Sequence, residues 1–90
     1  MYTVLNRFNV KQKHHTEFVK ETRNIWIKYY KKSRGFVKTM ILQKKNEFLT
    51  IDVWKSKKYT DAFFKENLDR MLKFSYVPKR YTSRKSYVMS

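Results

Sequence analysis

Two short runs rich in apolar and β-branched residues, Phe36–Gln43 and Glu47–Trp54, are separated only by Lys44-Lys45-Asn46. No other feature narrows the fold as much. A connection that short makes neighbouring antiparallel strands of the two runs. The hairpin is bracketed by segments of helical period. Before it, Phe18, Thr22, Ile25, Trp26, Tyr29 and Tyr30 form one stripe over about Thr16–Ser33. Thr16 is placed to cap that helix, Lys31, Lys32 and Arg34 suit its negative end, and Gly35 supplies a left-handed stop. After the hairpin, Ser56 can cap a second helix reaching about Lys73, with Tyr59, Phe63, Phe64, Leu68, Met71 and Leu72 on its buried stripe. Pro78 prevents its continuation.

An extended run opens the chain at residues 2–10, with Tyr2, Val4, Asn6, Phe8 and Val10 on one face. A polar one, about Arg80–Met89, closes it and suits an edge or a crossing strand. The order is then β-α-β-β-α-β, a ferredoxin-like α+β arrangement: an antiparallel four-stranded sheet with both helices on one face. Ninety residues with one Gly and one Pro form a single domain, 1–90, without a flexible linker.

The uncovered face of such a sheet constrains the assembly. Odd positions of the hairpin strands, Val37, Thr39, Ile41, Leu49, Ile51 and Val53, join Leu5 in a face too apolar for water. No third helix exists to cover it, so a second copy of the sheet is expected, packed face to face. A chain this short has a small core of its own, and with no cysteine it has no disulfide to reinforce it. The even positions, assigned to the helix side, include Asn6, Phe8, Lys38, Met40, Asp52 and Trp54. Polar groups gathered among aromatics are the usual composition of a ligand pocket. A bulge in either strand would exchange the faces.

Other classes are narrowed by composition. At 41% hydrophobic and 18% aromatic residues the chain is too apolar for disorder. No apolar run is long enough for a membrane helix, and the N-terminus lacks the pattern of a signal peptide. A soluble cytoplasmic protein without membrane partners is expected. Twenty-two Lys and Arg against seven Asp and Glu give a formal charge of +15, which attracts polyanions. The basic residues occur in nearly every turn and on both helices, and this scatter favours a solvated background and nonspecific nucleic-acid binding. His14-His15 lacks a third ligand nearby, so no metal site is assigned.

Val4-Leu5-Asn6-Arg7-Phe8, Gly35-Phe36-Val37, Leu49-Thr50-Ile51-Asp52-Val53-Trp54-Lys55-Ser56 and Phe63-Phe64-Lys65 stand in an order and spacing that resembles the antibiotic-biosynthesis-monooxygenase (ABM) family, the dimeric α+β barrels. The resemblance covers about residues 2–73, and the Trp-x-Ser step into the second helix is its most specific element. It implies a homodimer, and a pocket lined by Asn6 and Trp54. The family includes cofactor-free quinone-forming monooxygenases and haem-degrading enzymes. The haem-degrading branch uses a histidine late in the second helix, where this chain has Arg70-Met71-Leu72-Lys73-Phe74. Haem is therefore disfavoured and no cofactor is assigned.

A cofactor-independent monooxygenase lets an electron-rich phenol or quinol reduce O₂ itself. It needs a hydrogen-bonding group, a base and dry aromatic walls. Asn6, Trp54 and Asp52 are the catalytic candidates, Asp52 serving as base if burial raises its pKa. Phe8, Lys38, Met40, Trp26, Phe63 and Phe64 are the substrate-binding candidates for a small aromatic ligand. Each has a plainer role available: a core aromatic, a strand-edge lysine, or a carboxylate that caps the next turn. Two other functions are compatible with the pattern. One is a dimer that binds a small apolar ligand without catalysis. The other is a nucleic-acid-binding module of the same β-α-β-β-α-β order, supported by Arg34-Gly35-Phe36-Val37. That fragment falls on the second strand, whereas the RNA-binding signature it echoes belongs on the third.

Overall fold

The computed structural model describes residues 1–74 and 81–89. The strands are β1 (Tyr2–Val10), β2 (Phe36–Lys44), β3 (Glu47–Trp54) and β4 (Tyr81–Val88). Helix α1 (His15–Glu21) passes through a π-helical segment, Thr22–Ile27, into α2 (Lys28–Lys31), and α3 spans Lys57–Phe74. The sheet is antiparallel in the order β2-β3-β1-β4, the ferredoxin-like arrangement. Pro78 and the start of the last strand at Arg80 lie outside the described residues, as do the side chains of Met71 and Leu72.

Local structure departs from expectation in three places. The first helix starts at His15, after a 3-10 turn at Gln12–His14, so Thr16 lies inside it instead of capping it. Ser56 immediately precedes α3, yet its buried hydroxyl bonds nothing among the described residues; Tyr59 N–H reaches the Ser56 carbonyl instead, at 3.3 Å. The π segment replaces a stretch that the pattern reads as ordinary helix. Its wider turn adds a residue and rotates the faces of the last helical turns. Phe18, ahead of it, packs with Phe8, Val10 and Phe48. Tyr30, beyond it, packs with Trp54 and Phe63, while Trp26 touches both clusters.

The helix closes as the sequence indicates. Ser33 N–H donates to the Tyr30 carbonyl at 2.9 Å, and Gly35 takes a φ of 82°. A Cβ at Gly35 would overlap the Tyr59 side chain, so this glycine serves both the left-handed turn and the close approach of α3.

The register of β2 overturns part of the face assignment. Phe36 pairs with Trp54, but Lys38 already pairs with Val53, because Val37 is an extra residue in a bulge. From there the alternation is reversed. Thr39 lies opposite Asp52 and Ile41 opposite Thr50, on the helix side, and Ile41 packs against the Phe8 cluster. Lys38, Met40 and Leu42 lie opposite Val53, Ile51 and Leu49, on the open face. That face therefore carries Leu5, Met40, Leu42, Leu49, Ile51 and Val53, without Thr39 or Ile41. Its centre stays apolar, with Met40 42% and Leu42 50% exposed, while Lys38, Arg7, Glu47 and Lys85 share the face around it.

Candidate functional site

On the covered face the four strands contribute one polar residue each to a continuous row. Thr39 of β2 donates its hydroxyl to Asp52 Oδ1 at 2.6 Å. Asn6 of β1 donates Nδ2 to Asp52 Oδ2 at 3.2 Å. Ser86 of β4 donates to Asn6 Oδ1 at 2.6 Å. The pairing explains the row, since Thr39 lies opposite Asp52 and Ser86 opposite Asn6. Asn6 and Asp52 are only 6% and 5% exposed, so these bonds sit where water competes little. Both Asp52 oxygens accept a hydrogen bond, which suits a carboxylate held in one orientation.

Beside the row is a cavity of about 270 Å³. Asn6, Asp52 and Trp54 line it together with Tyr2 and Phe64. Trp54 is 1% exposed and fixed edge-to-face against Tyr30 and Phe36, with ring centroids at 5.5 and 5.3 Å. Thr60, on α3, also lines the cavity; its hydroxyl is buried and has no hydrogen-bond partner among the described residues. An unsatisfied buried hydroxyl costs about 1–3 kcal/mol. At the rim, Asp61 accepts from Lys57 Nζ at 2.7 Å, and this hydrogen bond and the charge of Asp61 raise the Lys57 pKa.

Four of the nine candidate residues thus come together: Asn6, Asp52, Trp54 and Phe64 line one cavity. The other five do not join them. Phe8 is core, packed on Phe18 at 5.1 Å between ring centroids. Trp26 bridges the two core clusters. Phe63 is core and faces a different cleft, between α2 and α3. Lys38 and Met40 are corrected outright, since the Val37 bulge turns them to the open face. Thr39, Thr60 and Ser86 join the site without having been candidates. Thr60 had a signal: it precedes Phe63 and Phe64 by three and four residues, the spacing of one helix face. Thr39 had none, because its side depends on the bulge.

His15 has a structural role. One ring nitrogen meets the Val10 carbonyl at 2.9 Å, the other Gln43 Nε2 at 3.2 Å, and the ring stands edge-on to Phe48. No group of three or more His, Asp or Glu able to hold a metal occurs among the described residues. The described polar lining of the cavity contains no histidine, and the chain's two histidines, His14 and His15, lie elsewhere, so the residues present do not fit a histidine-ligated haem. No helix of the described residues is long and apolar enough to cross a membrane.

A sheet of this order with helices on one face has counterparts among known structures. It is the α+β ferredoxin-like fold of the antibiotic biosynthesis monooxygenases. SnoaB from Streptomyces nogalater, a cofactor-independent oxygenase, superposes with a TM-score of 0.81 at 18% identity, covering 99% of this chain and 90% of that one. A protein of Nitrosomonas europaea assigned by inference as an antibiotic biosynthesis monooxygenase gives 0.82 at 18% identity, covering 100% of this chain and 97% of that one. A conserved protein from Methanosarcina mazei Go1 gives 0.83 at 13% identity, covering 97% and 88%. At these identities the likeness is one of fold. No protein-family model matches the sequence, and no curated protein matches it.

Proposed function

We propose that this protein is a small homodimeric monooxygenase that needs no cofactor and acts on an electron-rich phenol or quinol held beside Asn6, Asp52 and Trp54. The observation that carries the reading is the cavity itself: a buried, hydrogen-bonded carboxylate and amide meet aromatic walls and an unpartnered hydroxyl. The fold shared with SnoaB, a cofactor-independent oxygenase, supports it.

The reaction balances without an added redox group. Asp52, oriented by Asn6 and Thr39, takes the phenolic proton. The Thr60 hydroxyl donates to the resulting phenolate, satisfying an atom that is otherwise orphaned. The phenolate gives one electron to O₂, and the radical pair joins at a ring carbon to form a C–O bond and a peroxide anion, to which Asp52 returns the phenolic proton. Asp52 then takes that carbon's proton as the O–O bond breaks, and the departing hydroxide receives it, leaving a quinone and one water. Trp54 and Phe64 present aromatic surface that would displace water once a substrate fills the cavity, strengthening each of these polar contacts. Pairing of two open faces through Leu5, Met40, Leu42, Leu49 and Ile51 would cover the exposed apolar surface and complete the dimer.

The test is oxygen uptake with a panel of hydroxynaphthalenes and quinols, with the purified protein's size measured in parallel. Asn6→Ala and Trp54→Phe should each lower turnover, Asn6→Ala by about tenfold or more, while leaving the dimer intact. Binding of these compounds without oxygen uptake would assign the cavity to a non-catalytic binding protein. Absence of both binding and uptake would remove the reading.

A further inference from the structure

The basic residues are less scattered in the fold than along the sequence. Residues 22–46 hold eight of the 22 Lys and Arg and none of the seven Asp and Glu. This stretch forms the second half of the first helix, the turn at Gly35 and the edge strand β2, which are consecutive and adjoin one another. Between the helix and β2 runs a groove of about 610 Å³ lined by Arg23, Ile27, Lys31, Val37, Lys38 and Ile41, among others, with no acidic residue. A hollow of about 340 Å³ extends it along the helix past Arg23, Lys28 and Lys31. On the helix's other flank a cleft of about 660 Å³ presents Lys32, Arg34 and Lys58 beside the half-buried Tyr29 and Tyr59, with Glu66 as its one carboxylate. None of Arg23, Lys28, Lys31, Lys32, Arg34 or Lys38 has an ion-pair partner among the described residues.

We infer that this band is a binding surface for the backbone of single-stranded nucleic acid, separate from the Asn6 cavity. The charge is arranged along a line: Arg23, Lys28 and Lys31 share one exposed flank and span on the order of 12 Å of helix axis. A row of cations matches a polymer with one negative charge per unit. The surface is a channel between one helix and one strand, which admits a single chain. Tyrosines in the adjoining cleft, beside three cations, complete the combination used to hold single strands. A bilayer is less well matched, because Val37 is the one exposed large apolar side chain in these grooves among the described residues, while Met40, Leu42, Tyr87 and Val88 lie outside them.

The experiment is fluorescence anisotropy of a labelled mixed-sequence oligonucleotide of about 20 nucleotides, titrated with the full chain at several salt concentrations. Arg23→Glu/Lys28→Glu/Lys31→Glu is compared with Lys11→Glu/Lys13→Glu/Lys65→Glu, an equal change of charge at exposed positions outside the band. A neutral set, Arg23→Gln/Lys28→Gln/Lys31→Gln, guards against misfolding of the acidic one, with circular dichroism as the check. Both band variants should weaken binding by about tenfold or more and flatten the plot of log affinity against log salt by about 2 units, the share of three phosphate contacts. The control set should lose markedly less affinity. Equal losses in the band and control sets would overturn the inference in favour of bulk charge. Tighter binding of polyglutamate, or of phosphatidylserine vesicles, than of the oligonucleotide would overturn it in favour of another partner. No binding at low salt would also overturn it. None of these outcomes depends on oxygen uptake.

Discussion

Each face of the sheet carries groups at odds with its setting, polar ones in the core and apolar ones at the surface. Beneath the helices lie Asn6, Thr50 and Asp52, all at least nine-tenths buried. On the open face Met40 and Leu42 are exposed and Leu5, Leu49 and Ile51 half-exposed. Buried polar groups must be bonded or they destabilise; Asn6 and Asp52 are tied into the row, while Thr60 is not. An exposed apolar face marks a surface that meets something else. On the proposed function, the covered face would be organised around a small ligand and the open one around a second copy of the chain.

The largest expected effect is at the open face. Ile51→Lys would bury an unpaired charge in a face-to-face dimer and should cost about 3–5 kcal/mol of assembly stability. Sedimentation should then show a monomer, or chemical denaturation a much earlier midpoint. If the unmodified protein is itself a stable monodisperse monomer, this half of the comparison fails.

A smaller effect is expected on the covered face. Thr39→Val keeps the shape but removes the donor to Asp52 Oδ1, and should destabilise by about 1–3 kcal/mol in urea denaturation. It should leave the dimer intact, because Thr39 does not reach the open face. A change in sedimentation equal to that of Ile51→Lys would show that the faces are not independent.

The smallest effect tests the turn that joins β2 to β3. Lys45 occupies the left-handed region at φ 53°. Lys45→Gly relieves that strain at the cost of a more flexible unfolded chain, so thermal unfolding should show a gain of about 0.5–1 kcal/mol. Assembly and ligand binding should not change, since neither face is touched.

Much of this layout is legible in the sequence. The strand and helix order follows from periodicity, and the faces of β1 and β3 follow from strict alternation, which is why Asn6, Asp52 and Trp54 could be placed together. Strand β2 departs from its expected faces because alternation holds only while strands pair one to one. Phe36-Val37 contains no Gly or Pro to mark the bulge, and the extra residue moves Lys38 and Met40 outward and Thr39 inward. The π segment is hidden for the same reason, since Thr22–Ile27 reads as ordinary helix until the added residue shifts the stripe. Thr60 escapes notice because a helical stripe is traced through its large apolar residues. A hydroxyl matters here through what it lacks, and only the folded structure shows that.

Thr60→Val, combined with thermal unfolding in the presence and absence of a phenolic ligand, tests most directly whether the covered face is built for a ligand. Valine fills the same space and removes the orphaned hydroxyl. The ligand-free protein should gain about 1 kcal/mol, while the stabilisation conferred by the ligand should shrink by a similar amount. A variant that is less stable without ligand, or whose ligand-induced shift matches that of the unmodified protein, would contradict the account.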